Sequence, residues 1–349
     1  MTQKKIIILI NTITPYQLDF FESLKKKINL KIIFYSKNYI NYNFKFKKKE
    51  YHVLLNEKRD PLKTIFREIN QFNPDLIIFG GYRLKFSSKI ITVLKDRKIP
   101  FLYWLENLDQ NKYLKYKLVN HLISKKIKKS NGVLAVGKSA QNLYSKNCDN
   151  VVNLPYSIKI DKAKKKFFYK NNKINFLFVG QLIKRKGLHI ILNVFDNLNE
   201  EERKKVSLSI VGEGDLKNYL RKFMIKKSFI KYHGFVFGNK LSTIYENSDI
   251  LIFPSIFDGW GVVPMEAMSK SLSLIISEKA GVSEILKNNK NGFIIPPNTK
   301  ELLKIVKRCI KNRKIIASQG LRNRKLILNS NCNSKNASTF LIKNISKII

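Results

Sequence analysis

Acidic side chains are scarce in this sequence. Asp and Glu number 25 against 67 Lys and Arg, a formal net charge of +42 over 349 residues. Such a field draws polyanions: nucleic acid, anionic lipid or phosphorylated substrates. Cysteine is rarer still. Cys148, Cys309 and Cys332 lie far apart, which excludes a zinc-type spacing and a disulfide framework and reads as free thiols in a reducing compartment. Long apolar runs are missing, and no stretch approaches the ~18 residues of a membrane span. The opening MTQKKIIILINTITPY starts like a secretory leader, but its apolar run is only Ile6 to Ile10 and polar residues follow. The expected location is cytoplasmic, with contact to a membrane surface left open.

Where the few acids fall is informative. Residues 251–300 hold Asp258, Glu266, Glu278 and Glu284 against Lys270, Lys279, Lys287, Lys290 and Lys300. Residues 301–349 hold twelve basic residues against Glu301 alone. One segment stays near neutral in a strongly basic chain.

A 44% apolar content suffices for two cores, and the length suggests two domains of ~150 residues. Short apolar runs alternate with longer helical patterns, as in a parallel α/β sheet. The runs at 4–11, 30–36, 74–81, 99–106 and 131–137 read as strands. TPYQLDFFESLKKK (14–27) reads as a helix, with Thr14 at the N-cap and Pro15 first inside. Residues 112–129 read as a basic helix. The charged stretch 161–173 reads as a linker, after which the pattern restarts. Strands are expected at 174–180, 206–214, 230–236, 249–255 and 273–277, with helices between them and a last helix near 282–288. Two doubly wound halves in tandem follow: 1–160, linker 161–173, and 174–330.

In an open parallel sheet, ligands bind beyond the carboxyl ends of the strands. The segment FPSIFDGWGVVPMEAMSKS (253–271) is a strand, a glycine-rich loop and a helix in that order. Gly259 and Gly261 permit close backbone approach. The N–H groups of Gly261, Val262 and Val263 at the helix start suit a diphosphate. Glu266 can accept two hydrogen bonds from the vicinal diol of a ribose, and Asp258 can hold hexose hydroxyls. That set fits a nucleotide-sugar donor.

The segment resembles the acidic-x(7)-Glu motif of retaining family 4 glycosyltransferases, glycosyl transferases group 1. The resemblance is clearest over 174–300. FVGQLIKRKGLHIILNVF (178–195) is similar to the family's phosphate-binding loop, with Gln181, Lys186 and Gly187 at its donor positions. IVGEG (210–214), HGFV (233–236), YENSDILIFPS (245–255) and KAGVSEILKNNKNGFIIPP (279–297) follow in the family's order. Two departures stand out: Asp258 occupies a position where the family more often has Glu, and the first half lacks the Gly-Gly loop after its first strand.

The resemblance implies a GT-B fold, an α/β architecture of two Rossmann-like doubly wound parallel-sheet domains facing across a cleft. The first domain would take the acceptor, the second the donor, and residues 331–349 would return as a helix to the first. It also implies transfer of a hexose-type sugar from a nucleotide diphosphate sugar to a glycan or polyisoprenyl-linked acceptor, with retention of configuration. No Asp-x-Asp pair occurs, so no metal or other cofactor is expected, and Lys186 would bear the charge of the leaving phosphate with Lys184 or Arg185 beside it. Glu106, after the strand at 99–106, is the acceptor-side candidate; a plain helix-terminus charge is the alternative for it. The helix 113–129 mixes Leu, Ile and Tyr with Lys, as a peripheral helix on anionic lipid does. Two rival readings remain open. One is a nucleotide-sugar epimerase or hydrolase of the same fold. The other is a basic nucleic-acid binder, for which no recognition module is visible, so nucleic acid is not an expected partner.

Overall fold

Ile6 to Ile10 contains no polar side chain, and such a run settles only where both faces are covered, inside a parallel sheet. In the computed structural model it lies in β1 (Lys5–Ile10), where those five residues are at most 4% exposed. The structure describes residues 3–35, 49–55, 59–109, 113–161, 168, 172–346 and 348. Most of the expected linker, 161–173, lies outside them. The chain forms two compact units: Met1–Lys159 with Asn331–Ile349, and Ile160–Ser330.

In the first unit β1 is followed by α1 (Pro15–Lys25), β2 (Asn29–Phe34), β3 (His52–Leu54), α2 (Pro61–Phe72), β4 (Leu76–Gly80) and α3 (Ser87–Asp96). Then come β5 (Phe101–Glu106), α4 (Tyr113–Ile127), β6 (Gly132–Val136), α5 (Lys138–Tyr144) and β7 (Val151–Asn153). The strands stand in the order β3-β2-β1-β4-β5-β6-β7 and every pairing is parallel. The edge strands are three residues long, which limits pairing with other chains.

Local chemistry sets the helix ends. Asp60 accepts from the Lys63 N–H at 2.9 Å, Pro61 opens α2, and Asn73 closes it at φ 47°. Thr14 holds the N-cap position of α1, but its hydroxyl donates to Gln17 Oε1 at 2.6 Å and caps no backbone N–H. Pro15 opens the helix instead, because its fixed φ is already helical.

The second unit repeats the plan with β8 (Ile174–Val179), α6 (Leu188–Asp196), α7 (Glu200–Lys204), β9 (Val206–Val211), α8 (Lys217–Met224) and β10 (Ile230–Tyr232). It continues through α9 (Gly238–Glu246), β11 (Ile250–Phe253), α10 (Val262–Ser269), β12 (Ser273–Ser277), β13 (Phe293–Ile295), α11 (Thr299–Lys311) and α12 (Lys314–Asn329). Its strand order is β10-β9-β8-β11-β12-β13, again parallel throughout. Phe176, Phe178, Phe195, Ile191 and Ile252 are among the fully buried side chains that join this sheet to its helices.

Three expected strands of this unit end early, β9 at Val211, β10 at Tyr232 and β11 at Phe253, and one expected helix is a turn. β11 stops at Phe253, because Pro254 has no N–H to extend the ladder. In place of a helix near 282–288, Gly281–Ile285 forms a short 3-10 turn. Its first amides are already committed: Gly281 donates to Asp258 O at 3.1 Å and Val282 to Trp260 O at 2.8 Å.

The last helix, α13 (Ser334–Ile345), packs on α1 in the first unit. Ser338 Oγ lies 2.9 Å from Ser23 Oγ, and Lys27 Nζ donates to Thr339 Oγ1 at 2.5 Å. Ile158 and Cys332 are joined just before it, N–H to carbonyl at 2.9 Å.

Candidate active site

A sheet whose chain steps from a central strand to both sides opens a crevice where the loops diverge, at the carboxyl ends of the strands. In the second unit that point lies between β8 and β11, which are neighbours separated by 70 residues of chain. The loop leaving β8 runs through Gly180 to Gly187. The loop leaving β11 runs through Pro254 to Gly261.

The backbone joins these loops. Ile256 N–H donates to Arg185 O at 2.8 Å, and Arg185 Nη1 donates to Phe257 O at 2.8 Å. Lys184–Lys186 form one 3-10 turn, closed by Gly187 at φ +78°. A Cβ on Gly187 would stand 2.3 Å from Pro254 O, so only glycine lets the loops approach this closely. This staple places Lys186 Nζ 2.5 Å from Asp258 Oδ2, with both side chains about 15% exposed. Lys186 Nζ also lies 5.5 Å from the Phe253 ring centroid, where the ring face attracts a cation.

The second loop is held from below. Asp258 N–H donates to Lys279 O at 3.1 Å, and Trp260, 1% exposed, donates from Nε1 to Met265 Sδ at 3.3 Å. Gly261 adopts φ +103°, and a Cβ there would meet the Phe253 ring and Val282 at 3.2 Å. α10 begins at once, with no side chain capping it. Its first turn, Val262 and Val263, therefore presents backbone N–H groups and the positive end of the helix dipole.

Glu266 lies one turn into α10, half-buried, where its Oε2 accepts from Tyr245 Oη–H at 2.7 Å. Tyr245 is 3% exposed. Burial pushes its phenol well above the usual range and the Glu266 carboxylate adds to this, so the phenol stays protonated and donates. Sequence reasoning assigned no role to Tyr245, although it opens the YENSDILIFPS landmark. The signal was a hydroxyl one residue before an acid at the end of a helix, too common to single out.

Gln181 is half-buried immediately after β8, and Gly259 lies in the β11 loop. The structure thus brings Gln181, Lys186, Gly187, Asp258, Gly259, Gly261, Val262, Val263 and Glu266 to one edge of one sheet. Glu106 belongs to the first unit. It ends β5, is exposed, and its carbonyl accepts from Tyr144 Oη–H at 2.7 Å. Burial, and then the Glu106 charge, raises the Tyr156 phenol well above its ordinary value. His233 is half-buried, its Nε2 lies 3.2 Å from Ser209 Oγ, and burial lowers its pKa. Among the described residues, no group of three or more His, Cys, Asp and Glu is arranged to hold a metal ion.

Residues 159–325 match the family described as glycosyl transferases group 1. An uncharacterized glycosyltransferase of Methanocaldococcus jannaschii is 31% identical over 35% of this chain and 31% of its own. A second from the same organism is 27% identical over 67% of this chain and 62% of its own. The chain therefore matches between about a third and two thirds of these relatives' length. Among solved structures, Anabaena HepE in complex with UDP superposes with a TM-score of 0.77 over 98% of this chain and 100% of that one, at 14% identity. Its complex with UDP-glucose gives 0.73, again at 14% identity, over 98% of this chain and 99% of that one. The fold is GT-B, two parallel-sheet Rossmann-like units. Residues 159–325, just under half of the chain, are thus similar to glycosyl transferases group 1.

Proposed function

We propose that this protein moves a hexose-type sugar from a nucleotide diphosphate sugar to a glycan or polyisoprenyl-linked acceptor, with retention of anomeric configuration. The observation that carries the reading is the Lys186–Asp258 pair at the switch point of the second sheet, beside the uncapped start of α10. The diphosphate would lie on the amides of Gly261, Val262 and Val263, and Gln181 and Gly187 would border it. Glu266, oriented by Tyr245, would hold the ribose diol.

As the glycosidic bond breaks, negative charge grows on the leaving phosphate. Lys186 would meet that charge, and in many enzymes fixed groups aimed at developing charge lower the barrier more than any other effect. Asp258 then keeps the sugar hydroxyls in place of its lysine partner. With a lysine and a helix terminus supplying the positive charge, no divalent cation is required. HepE binds UDP and UDP-glucose, which favours a uridine donor for this chain too. In the first unit, Glu106 is the group offered to the acceptor hydroxyl.

A lipid-linked acceptor would bring the protein to the inner face of a membrane. No helix among the described residues is long and apolar enough to cross one. α4 instead exposes Leu118 (69%) and Leu122 (58%), one turn apart. Next to them lies a pocket of about 400 Å³ lined in part by Lys117, His121, Lys125 and Lys128. Leucines beside lysines on one helix suit peripheral contact with anionic lipid.

The test is a thermal-shift screen of UDP-, GDP-, ADP- and TDP-sugars. One donor should stabilise the wild type, and the effect should vanish in Glu266→Ala and Lys186→Ala. Equal shifts in those variants and the wild type would remove the donor assignment.

A further inference from the structure

At the opposite edge of the second sheet lies a second concentration of positive charge. Residues 287–291 precede β13, and Leu272 precedes β12, so both stand at the amino ends of strands whose carboxyl ends point towards the donor edge. Between them and α12 is a pocket of about 340 Å³. Lys287, Lys290, Arg322 and Lys325 line it, with Ile285 and Leu326 as its apolar wall, and no carboxylate is among its lining residues. From Ile285 to Ser330 the chain carries twelve Lys or Arg and only Glu301 as an acid.

The walls are fixed by buried amides. Asn323, fully buried on α12, donates to Leu272 O at 2.8 Å and accepts from Asn291 Nδ2 at 3.1 Å. Asn291 in turn accepts from the Lys287 N–H at 2.7 Å. Gln319, also fully buried, donates to Asn289 O at 3.2 Å, and Arg322 Nη1 donates to Lys290 O at 2.9 Å. The loop bearing two of the cations is thus pinned to the helix bearing the other two. Four like charges held together repel one another, and an anion placed between them relieves that repulsion. The four side chains are exposed, but the fixed backbone keeps their attachment points around one pocket, which limits the loop-ordering part of the cost of binding.

We propose that Lys287, Lys290, Arg322 and Lys325 form a second anion site, taking a compact phosphorylated molecule such as a pyrophosphate or sugar phosphate. The apolar wall of Ile285 and Leu326 suits the non-ionic part of such a ligand. Lys and Arg bind phosphate oxygens by charge-assisted hydrogen bonds, and Arg does so bidentately. This site is separate from the donor edge and goes beyond the transfer reaction.

Titration calorimetry with inorganic pyrophosphate at ~0.15 M salt tests it, because exposed long-range charge is largely screened there. The titration is done in Lys186→Ala, which disables the proposed donor edge. One saturable site per chain should remain. Adding Lys287→Gln with Lys325→Gln should weaken it at least ~10-fold through lost charge-assisted bonds. Adding Lys89→Gln with Lys95→Gln, an equal charge change on the exposed face of α3, should leave it within ~2-fold, since screened distant charges contribute little. Equal weakening by both pairs would overturn the site in favour of a diffuse field. The absence of a saturable site would overturn it too, as would a pocket variant that loses binding only to phosphatidylglycerol vesicles. Whether Lys186→Ala itself removes a site bears on the donor reading alone, since the two pairs are compared within that background.

Discussion

The ammonium of Lys186 and the carboxylate of Asp258 lie 2.5 Å apart although 72 residues separate them in the chain. Their meeting depends on the Arg185 staple between two loops. Loss of Lys186 should lower turnover by ~100-fold or more, the scale for removing one group aimed at developing charge. Each single change, Lys186→Ala or Asp258→Asn, should also cost about 1–3 kcal/mol of stability by leaving a partly buried polar partner unmatched. The double variant should cost less than both together. Denaturant melts of the four proteins decide this, and strict additivity would mean the pair does not interact.

Tyr245 supports Glu266 and does not itself touch the diol in this reading. Tyr245→Phe should therefore preserve the fold and weaken UDP binding by about 1 kcal/mol, roughly 5-fold in Kd. Glu266→Gln should weaken it more. Because the phenol pKa lies well above its ordinary value, it remains protonated below that value, and the hydrogen bond should persist from pH 6 to 9. Calorimetric titration with UDP reads both effects. An unchanged Kd in Tyr245→Phe, with binding lost in Glu266→Gln, would reduce the tyrosine to packing.

Gly187 and Gly238 make a controlled pair. Both have left-handed backbone, φ +78° and +62°, but a Cβ on Gly238 meets nothing within 4 Å. Gly238→Ala should cost only the left-handed strain, about 1–2 kcal/mol. Gly187→Ala adds a carbonyl contact at 2.3 Å that must push the loops apart, and should exceed that cost by at least ~1–3 kcal/mol, the scale for overpacking. Guanidinium midpoints measure the difference. Equal costs would show that the two loops separate freely.

The fold was legible because its strands carry their own signal. Ile6–Ile10 and Ser273–Ser277 are buried on both faces, which only a covered parallel sheet accommodates. The glycine loops after β8 and β11 were legible for the same local reason, a strand ending in residues that free the backbone. The basic stretch that became α11 and α12 was not, since its lysines masked a narrow buried stripe of Leu302, Val306, Cys309 and Ile316. Pairings between distant segments were hidden altogether. Nothing local in the sequence tells Tyr245 to meet Glu266, or the Gly281 and Val282 amides to bind the β11 loop at Asp258 and Trp260.

Leu118 and Leu122 give the membrane proposal a direct readout. Burying a leucine is worth about 1.5–3 kcal/mol, so Leu118→Glu with Leu122→Glu should reduce flotation with phosphatidylglycerol vesicles by at least ~10-fold. Raising salt should weaken the wild type as well, because the lysine contribution is screened. Flotation that survives the leucine variant but not salt would assign attachment to charge alone.

The cysteines report on the two cores. Cys309 and Cys332 are buried, whereas Cys148 is half-buried. Burial pushes the Cys309 thiol up to about 12, so at pH 8 only ~10⁻⁴ of it is the reactive thiolate. Burial also raises Cys148 above its ordinary value, though the Asn150 carbonyl contact works against this. Its thiolate fraction should therefore grow about 10-fold per pH unit up to that raised value. With Ellman's reagent at pH 8, the native protein should release one equivalent slowly, and all three cysteines should react in guanidinium. Rapid reaction of a second thiol in the native state would mean that α11 or the segment before α13 opens far more readily than its burial implies. Ser in place of Cys148 should abolish the native signal while leaving two equivalents on unfolding, which assigns the slow phase to that residue.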